Sequence, residues 1–493
     1  MEKKEQWGSR LGFIFAAIGS AVGLGNIWRF SYQAYENGGG AFLLPYLVAL
    51  FTAGIPLLIL ELGLGFRTRS SAPLSFKKIG KKYEWIGWWS VGVGFVITVY
   101  YTVIIGWSLA YVFKAFNLNW GSNPASHFTG EFLGATGSVW ELGGIRFFAL
   151  ACLIIVWLAN YFIISRGVQK GIEKASKIFM PLLFFLVILI TIRGITLPGS
   201  IEGIKAFVTP DFSKITDWRI WVSAFGQIFF TLSLGFGIMI AYASYLPKDS
   251  DVVSNGIITA LANSAFSIIT GFGVFGVLGY MAMKQGVPVS EVATDGIGLA
   301  FIAFPKAINL LPAASRIFGV LFFLSLVIAG LSSSISLVEA MVAALIDKFE
   351  ISRKKAVTYI CIISLILGIP FVTGGGLVLL DIVDHFINRY GLLLVGFVEL
   401  VVISYFFGVD KIKKAVNPSS NTEVGPTWSI MVKYLSPLAL IFALFLELIK
   451  DLTSLYGNYT SLEIILFGWG TVLIVILLAF NLARREITLK TNV

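Results

Sequence analysis

Charge is scarce in this 493-residue sequence: 13% of residues are Asp, Glu, Lys or Arg, where soluble domains carry about 25%. Histidine and cysteine are scarcer, two of each. His127 and His385 lie near the ends of apolar runs with no Cys/His cluster, so an enzyme built on a metal cluster or a histidine acid–base pair has little to work with. Cys152 and Cys361 both fall inside apolar runs, where a disulfide framework has no place. No loop resembles an ion-selectivity filter and no ring of charge suggests a channel. With 57% of residues hydrophobic, a water-soluble fold could not hide its apolar surface.

What is present instead is a series of about twelve apolar runs near the ~20 residues that an α-helix needs to cross hydrocarbon. They cover 11–35, 41–66, 86–115, 147–164, 178–196, 221–246, 253–283, 316–347, 356–372, 377–407, 429–450 and 462–483. The expectation is an all-α, multi-pass protein of a cell membrane, with the lipid bilayer as its solvent. The first run begins after ten polar residues and many spans follow it, so it reads as a retained span rather than a cleaved signal.

The net charge of +10 does not point to nucleic acid, because the basic residues sit between spans. Arg67, Arg69, Lys77, Lys78, Lys81 and Lys82 fill the second-to-third connection. Arg166, Lys170, Lys174 and Lys177 fill the fourth-to-fifth, Lys348, Arg353, Lys354 and Lys355 the eighth-to-ninth, and Lys411, Lys413 and Lys414 the tenth-to-eleventh. By the positive-inside rule these loops are cytoplasmic, and so are both termini. The longest outer connections are then 116–146, 197–220 and 284–315, and the last carries an apolar stretch from Gly296, too short to span, that is expected to dip as a lid.

Two spans carry paired glycines: Gly19-Ser-Ala-Val-Gly-Leu-Gly-Asn26 in the first and Phe230-Thr-Leu-Ser-Leu-Gly-Phe-Gly237 in the sixth. Each glycine costs about 1 kcal/mol against alanine inside a helix, which favours local unwinding. Unwound backbone at membrane depth is tolerated where it is buried in protein or lines a cavity. Breaks in spans one and six suggest five spans repeated in inverted topology, with a midplane site between them. The expected divisions are a cytoplasmic segment 1–10, repeats at 11–196 and 197–410, and two accessory helices with a cytoplasmic C-terminus at 411–493.

Several motifs resemble the neurotransmitter:sodium symporter family: Trp7-Gly-Ser-Arg-Leu-Gly, Ala21-Val-Gly-Leu-Gly-Asn-Ile-Trp-Arg-Phe30 and Glu36-Asn-Gly-Gly-Gly-Ala-Phe-Leu-Leu-Pro-Tyr46. So do Gly54-Ile-Pro-Leu, Gly226-Gln-Ile-Phe-Phe-Thr-Leu-Ser-Leu-Gly-Phe236 and Ala329-Gly-Leu-Ser-Ser-Ser334. The likeness covers ten spans, from about residue 5 to residue 410.

The resemblance implies two sodium sites. One would be formed by Ala21, Asn26, Thr231, Asn263 and the substrate carboxylate. The other would use the carbonyls of Gly19, Val22 and Ala329 and the hydroxyls of Ser332 and Ser333. All are oxygen donors, as a hard cation requires. The implied substrate is a small-to-medium neutral amino acid. Gly23 stands where monoamine-carrying relatives place an aspartate, so the substrate would bring its own carboxylate. That group would meet the Leu24 and Gly25 amides and Tyr101; the amino group would meet the carbonyls of Ala21, Phe230 and Thr231, with Ser233. The side-chain pocket would be Ile97, Tyr101, Phe230, Phe236, Ser333 and Leu337, with no ion to pair a charged side chain. Ile97 exceeds the valine that a leucine-carrying bacterial member has there, which tilts the expectation towards alanine, glycine or valine.

Ser267 stands where many bacterial relatives have an acid, as in chloride-dependent animal members, and with Tyr46, Gln227, Thr231 and Asn263 it implies a chloride site. Arg29 and Asp384 match the family's outer gate pair, with Tyr101 and Phe236 as the lid beneath. Asp347 matches the inner gate acid, its partner being Lys4 where the family has arginine. Glu61 resembles a carboxylate that buttresses the broken helices. The function implied is sodium-coupled symport by alternating access; a sodium-coupled exchanger and a non-transporting amino acid sensor share the same features.

Overall fold

A computed structural model describes residues 5–292 and 296–485. Among them the backbone is helical apart from connections and two isolated bridges, Gly39 with Pro210 and Ile145 with Thr373. Ten helices are long and apolar enough to cross a bilayer. They are Gly40–Thr68, Lys81–Ala115, Phe147–Ile164, Val168–Ile195, Val252–Gln285, Ser315–Phe349, Arg353–Val372, Gly376–Ser419, Pro426–Thr453 and Ser461–Arg484. The first span is a bent pair, Arg10–Ala21 and Leu24–Glu36, whose axes differ by 67°. The sixth is two helices of 14 and 7 residues, Trp218–Thr231 and Ile238–Ser244, neither of which could cross alone. The order of spans therefore follows the sequence reading, with the two interruptions at the first and sixth places.

Both breaks have a local cause. In the first span Val22 turns to ψ 106° and Gly23 is extended, so the helix stops and restarts at Leu24. In the sixth, Ser233, Gly235 and Gly237 all take positive φ, at 55°, 79° and 71°. Glycine enters that region freely, whereas serine is uncommon there and marks strain held by its surroundings.

The third and eighth spans support these breaks from behind. Their most apolar stretches are 78% buried, against 33% for the eleventh and twelfth, so the former form the protein core and the latter face lipid. They approach so closely that a Cβ on Gly330 would lie 2.5 Å from Ile105 Cγ1. On the lipid side Phe185, Leu438 and Leu477 stand exposed, as bilayer solvent allows. The apolar stretch expected as a lid is a helix, Gly296–Leu310, and its first residues, 296–298, line the mouth of the central cavity.

Candidate functional site

Between the two breaks lies a cavity of about 580 Å³. All the residues expected around the substrate line it: Ala21, Leu24, Gly25, Ile97, Tyr101, Phe230, Thr231, Ser233, Phe236, Ser333 and Leu337. Its floor is held by side chains that satisfy the freed backbone. Glu61 Oε1 accepts from Gly235 N at 2.7 Å, Ser90 Oγ donates to Gly235 O at 2.6 Å, and Ser233 Oγ donates to Ser20 O at 3.0 Å. Glu61 thus sits where a buttress is needed, since an unpaired amide at membrane depth costs several kcal/mol. Leu24 N donates to the Tyr101 hydroxyl at 3.1 Å, and a Cβ on Gly23 would meet that oxygen at 2.8 Å and Ser333 Oγ at 2.9 Å.

Oxygen atoms gather at two points beside the cavity. At the first, the Asn26 amide lies 3.0 Å from Thr231 Oγ1, 2.8 Å from Asn263 Oδ1 and 2.8 Å from Ser267 Oγ, while Asn26 Oδ1 accepts from Gly23 N. At the second, Ser333 Oγ is within 3.3–3.4 Å of the carbonyls of Gly19, Ser20, Val22 and Ala329. A hydroxyl has one proton to give and so can satisfy only one of these carbonyls, while Ser20 O also accepts from Ser233 Oγ. Ser332 Oγ beside them is buried and has no hydrogen-bond partner. The same Ser332–Ser334 run is fixed from behind by Asn160, the buried amide of the fourth span, whose Oδ1 accepts from Ser334 Oγ at 3.0 Å.

Next to the first cluster, the Tyr46 hydroxyl donates to Ser264 Oγ at 3.1 Å and Ser267 Oγ to Asn263 O at 3.2 Å. The Gln227 side chain is 1% exposed and neither its Nε2 nor its Oε1 has a partner. A buried amide without partners carries a desolvation cost that a ligand can remove.

The two ends of the route differ. Arg29 and Asp384 both line the cavity but form no ion pair. Asp384 Oδ1 accepts from the Tyr100 hydroxyl at 2.6 Å and from Asn388 Nδ2 at 2.8 Å, and the Arg29 guanidinium lies over the Phe230 ring at 4.7 Å. This corrects the expected lid: Phe230, not Phe236, lies under Arg29. Phe236 is 5% exposed and lies with Leu337 beside Gly94. The positive-φ residues Ser233 and Gly235 separate the two phenylalanines, so helical spacing does not relate their positions.

At the other end, Lys4 lies outside the described residues, and Asp347 accepts from the Ser71 amide at 2.6 Å. The closure seen there is made by residues the sequence reading had not placed at a gate. Arg353 pairs with Glu339 at 2.6 Å and with Glu5 at 2.9 Å, and Glu339 also accepts from the Tyr245 hydroxyl at 2.7 Å. Trp7 donates through its indole to Tyr242 O at 2.8 Å, and Glu173 accepts from Gly8 N and Ser9 Oγ at 2.6 and 2.8 Å. Glu339, a lone carboxylate in an apolar run six residues past Ser333, was the available signal.

The family model described as the sodium:neurotransmitter symporter family matches residues 4–126 and 119–486. The chain is 48% identical over 466 residues to an uncharacterised sodium-dependent transporter of Methanocaldococcus jannaschii, covering 94% of each. It is 33% identical to the sodium- and chloride-dependent GABA transporter 2 of Rattus norvegicus, over 83% of this chain and 74% of the relative. It is 30% identical to the rat sodium- and chloride-dependent taurine transporter, over 100% of this chain and 86% of the relative. The apolar spans, the two helix breaks and these matches together show that the chain belongs to the sodium:neurotransmitter symporter family and is a sodium-dependent membrane transporter, not an enzyme.

Proposed function

We propose that the protein carries a small-to-medium neutral amino acid into the cell together with two sodium ions and in a chloride-dependent manner. The observation that carries this reading is the cavity between the two helix breaks, flanked by two clusters of oxygen donors and lined by Gly23 where a carboxylate side chain would be needed for a substrate without one.

The first sodium would take Asn26, Thr231, Asn263 and the Ala21 carbonyl, the second the carbonyls of Gly19, Val22 and Ala329 with Ser332 and Ser333. The carbonyls gathered around Ser333 and the unpartnered Ser332 hydroxyl suit a hard cation. Because these groups come from the first and eighth spans, that ion would tie one five-span unit to the other. The partnerless Gln227 amide, with Tyr46 and Ser267, suits an anion, which would supply the negative charge that Ser267 lacks. The GABA and taurine relatives bear names that state chloride dependence, which supports the same reading.

Tyr101 and the amides of Leu24 and Gly25 would hold the substrate carboxylate at a half-helix N-terminus. Ser233 and the carbonyls of Ala21, Phe230 and Thr231 would hold the amino group. The remaining wall, Ile97, Phe236 and Leu337, is apolar and offers no counter-charge, so a charged side chain would be costly there. Arg29 closing on Asp384 would seal one end, and separation of Glu5 from Arg353 would open the other, with both termini cytoplasmic. Sodium and substrate act by favouring the state they bind better.

Uptake of labelled alanine, glycine, valine and leucine into proteoliposomes, with sodium and chloride replaced one at a time, tests this. Accumulation lost without sodium and strongly reduced without chloride is expected. Uptake seen only from vesicles preloaded with substrate would make the protein an exchanger, and saturable binding without flux would make it a sensor. Gly23→Asp should abolish amino acid uptake.

A further inference from the structure

At the end of the molecule that carries the first described residues, three cations from three different elements lie against a short aromatic run: Arg67 and Lys411 on the half-buried Phe407, and Lys82 on the half-buried Tyr83 and the exposed Phe406. The second span ends at Thr68 with Arg67, and the segment Lys81–Tyr83 leads into the third. The tenth span closes in a π-helical turn, Val402–Gly408, where Gly408 at φ 99° redirects the chain into a short helix, Val409–Val416. That helix is amphipathic: Val409, Ile412 and Val416 are buried, while Lys411 and Lys414 face outward.

Arg67 and Lys411 lie 5.6 and 5.1 Å from the Phe407 ring, and Arg67 Nη1 donates to Lys411 O at 3.3 Å. Lys82 lies 5.0 Å from the Tyr83 ring and 6.0 Å from that of Phe406. Phe406 is 60% exposed and neighbouring Tyr405 52%. Among the described residues none of the three cations has a carboxylate partner; the nearby acids are committed elsewhere, Asp410 to Lys413 and Glu84 to Lys77 and Lys348.

We propose that this patch binds the phosphate headgroup of an anionic phospholipid, bridging Arg67, Lys82 and Lys411 while its acyl chains lie against Phe406 and Tyr405. The rings decide between a lipid and a soluble anion. They are exposed at the end of a membrane span, where aromatic side chains sit at headgroup level and hydrocarbon begins beside them. Basic residues at that level attract anionic lipid. The bound headgroup would clamp the second span to the short helix, which already touches it so closely that a Cβ on Gly63 would lie 2.5 Å from Ile412 Cγ2. Less than one helical turn from Gly63 is Glu61, which holds the broken sixth span through Gly235 N. The lipid would therefore stiffen the support of the transport site; this last consequence rests on the function proposed above, whereas headgroup binding does not.

Native mass spectrometry of the full-length protein, purified with phosphatidylglycerol and phosphatidylcholine present in equal amounts, tests the site. The wild type should retain phosphatidylglycerol preferentially. The triple variant Arg67→Gln, Lys82→Gln, Lys411→Gln should lose about a hundredfold in that retention, while a matched triple at Arg166, Lys170 and Lys174 should keep it. Equal retention by all three proteins overturns the proposal, as does displacement of the lipid by inorganic phosphate at millimolar levels, which would show a site for the free ion. If retention falls in the triple variant but uptake in phosphatidylglycerol vesicles does not, the site stands and its link to transport fails.

Discussion

The two ends of the transport route are built from different chemistry. At the Arg29 end the charged groups are held apart by neutral neighbours: Asp384 by Tyr100 and Asn388, Arg29 by the face of Phe230. At the Arg353 end charges are in direct contact, with Glu339 fully buried, forked by Arg353 and capped by Tyr245. An arrangement of single, replaceable hydrogen bonds can be exchanged at little cost. A buried, multiply bonded ion pair is costly to break unless both partners are solvated again on opening. The route is thus poised to open and close readily at one end, and to open at the other only when something releases the segment around Glu5 and Trp7.

The largest effect should come from breaking the dense end. Arg353→Met strands Glu339 as an uncompensated buried charge, which costs about 3–5 kcal/mol. Uptake should fall at least a hundredfold, and in a Ser336→Cys background, Ser336 being a buried residue of the cavity wall, the thiol should become reactive to a reagent applied from the Glu5 side. Unchanged reactivity would show that Trp7 and Glu173 close that end alone. Arg353→Met with Glu339→Gln removes both charges and should recover part of the loss.

At the other end, Asp384→Asn removes the charge that would receive Arg29, and hydrogen bonds to charged groups contribute about 1.5–3 kcal/mol. Uptake should drop about tenfold or more while sodium-dependent substrate binding persists. Tyr100→Phe deletes one of the bonds that hold Asp384 away from Arg29. It favours closure by about 1 kcal/mol, and substrate affinity at saturating sodium should rise roughly fivefold; a fall would show that Tyr100 serves the closed arrangement instead.

The smallest effect should be at Asn160, which steadies Ser334 from the fourth span. Hydrogen bonds between membrane helices average about 0.6 kcal/mol, so Asn160→Leu should raise the sodium concentration for half-maximal uptake two- to threefold. The substrate KM at saturating sodium should stay the same.

Much of this was legible in the chain because membrane spans announce themselves by length and hydropathy, and glycine pairs at residues 23–25 and 235–237 announce the breaks. Part of the cavity lining, Ala21, Leu24, Gly25 and Phe230 to Phe236, lies in or beside those same short segments, whereas Ile97, Tyr101, Ser333 and Leu337 in the third and eighth spans were named only by the family resemblance. The arrangement of the ends was not. Arg353 and Glu339 are 14 residues apart, but Glu5 and Arg353 are 348 apart, and nothing in either segment names the other. The exchange of Phe236 for Phe230 beneath Arg29 had the same origin, since position in an unwound turn depends on the signs of φ at Ser233 and Gly235, not on spacing.

The sequence by itself determined that the protein lives in a bilayer, where its helices run and where two of them fail, because hydrocarbon solvates only apolar side chains and demands that every backbone group be satisfied. Only the tertiary structure decided which polar groups meet: that Ser333 faces four carbonyls, that Gln227 is left without partners, and that one end is locked by Arg353 while the other is held apart by Tyr100. Such contacts depend on the rotation and depth of whole helices, which are set by packing at glycines such as Gly330 rather than by any local pattern.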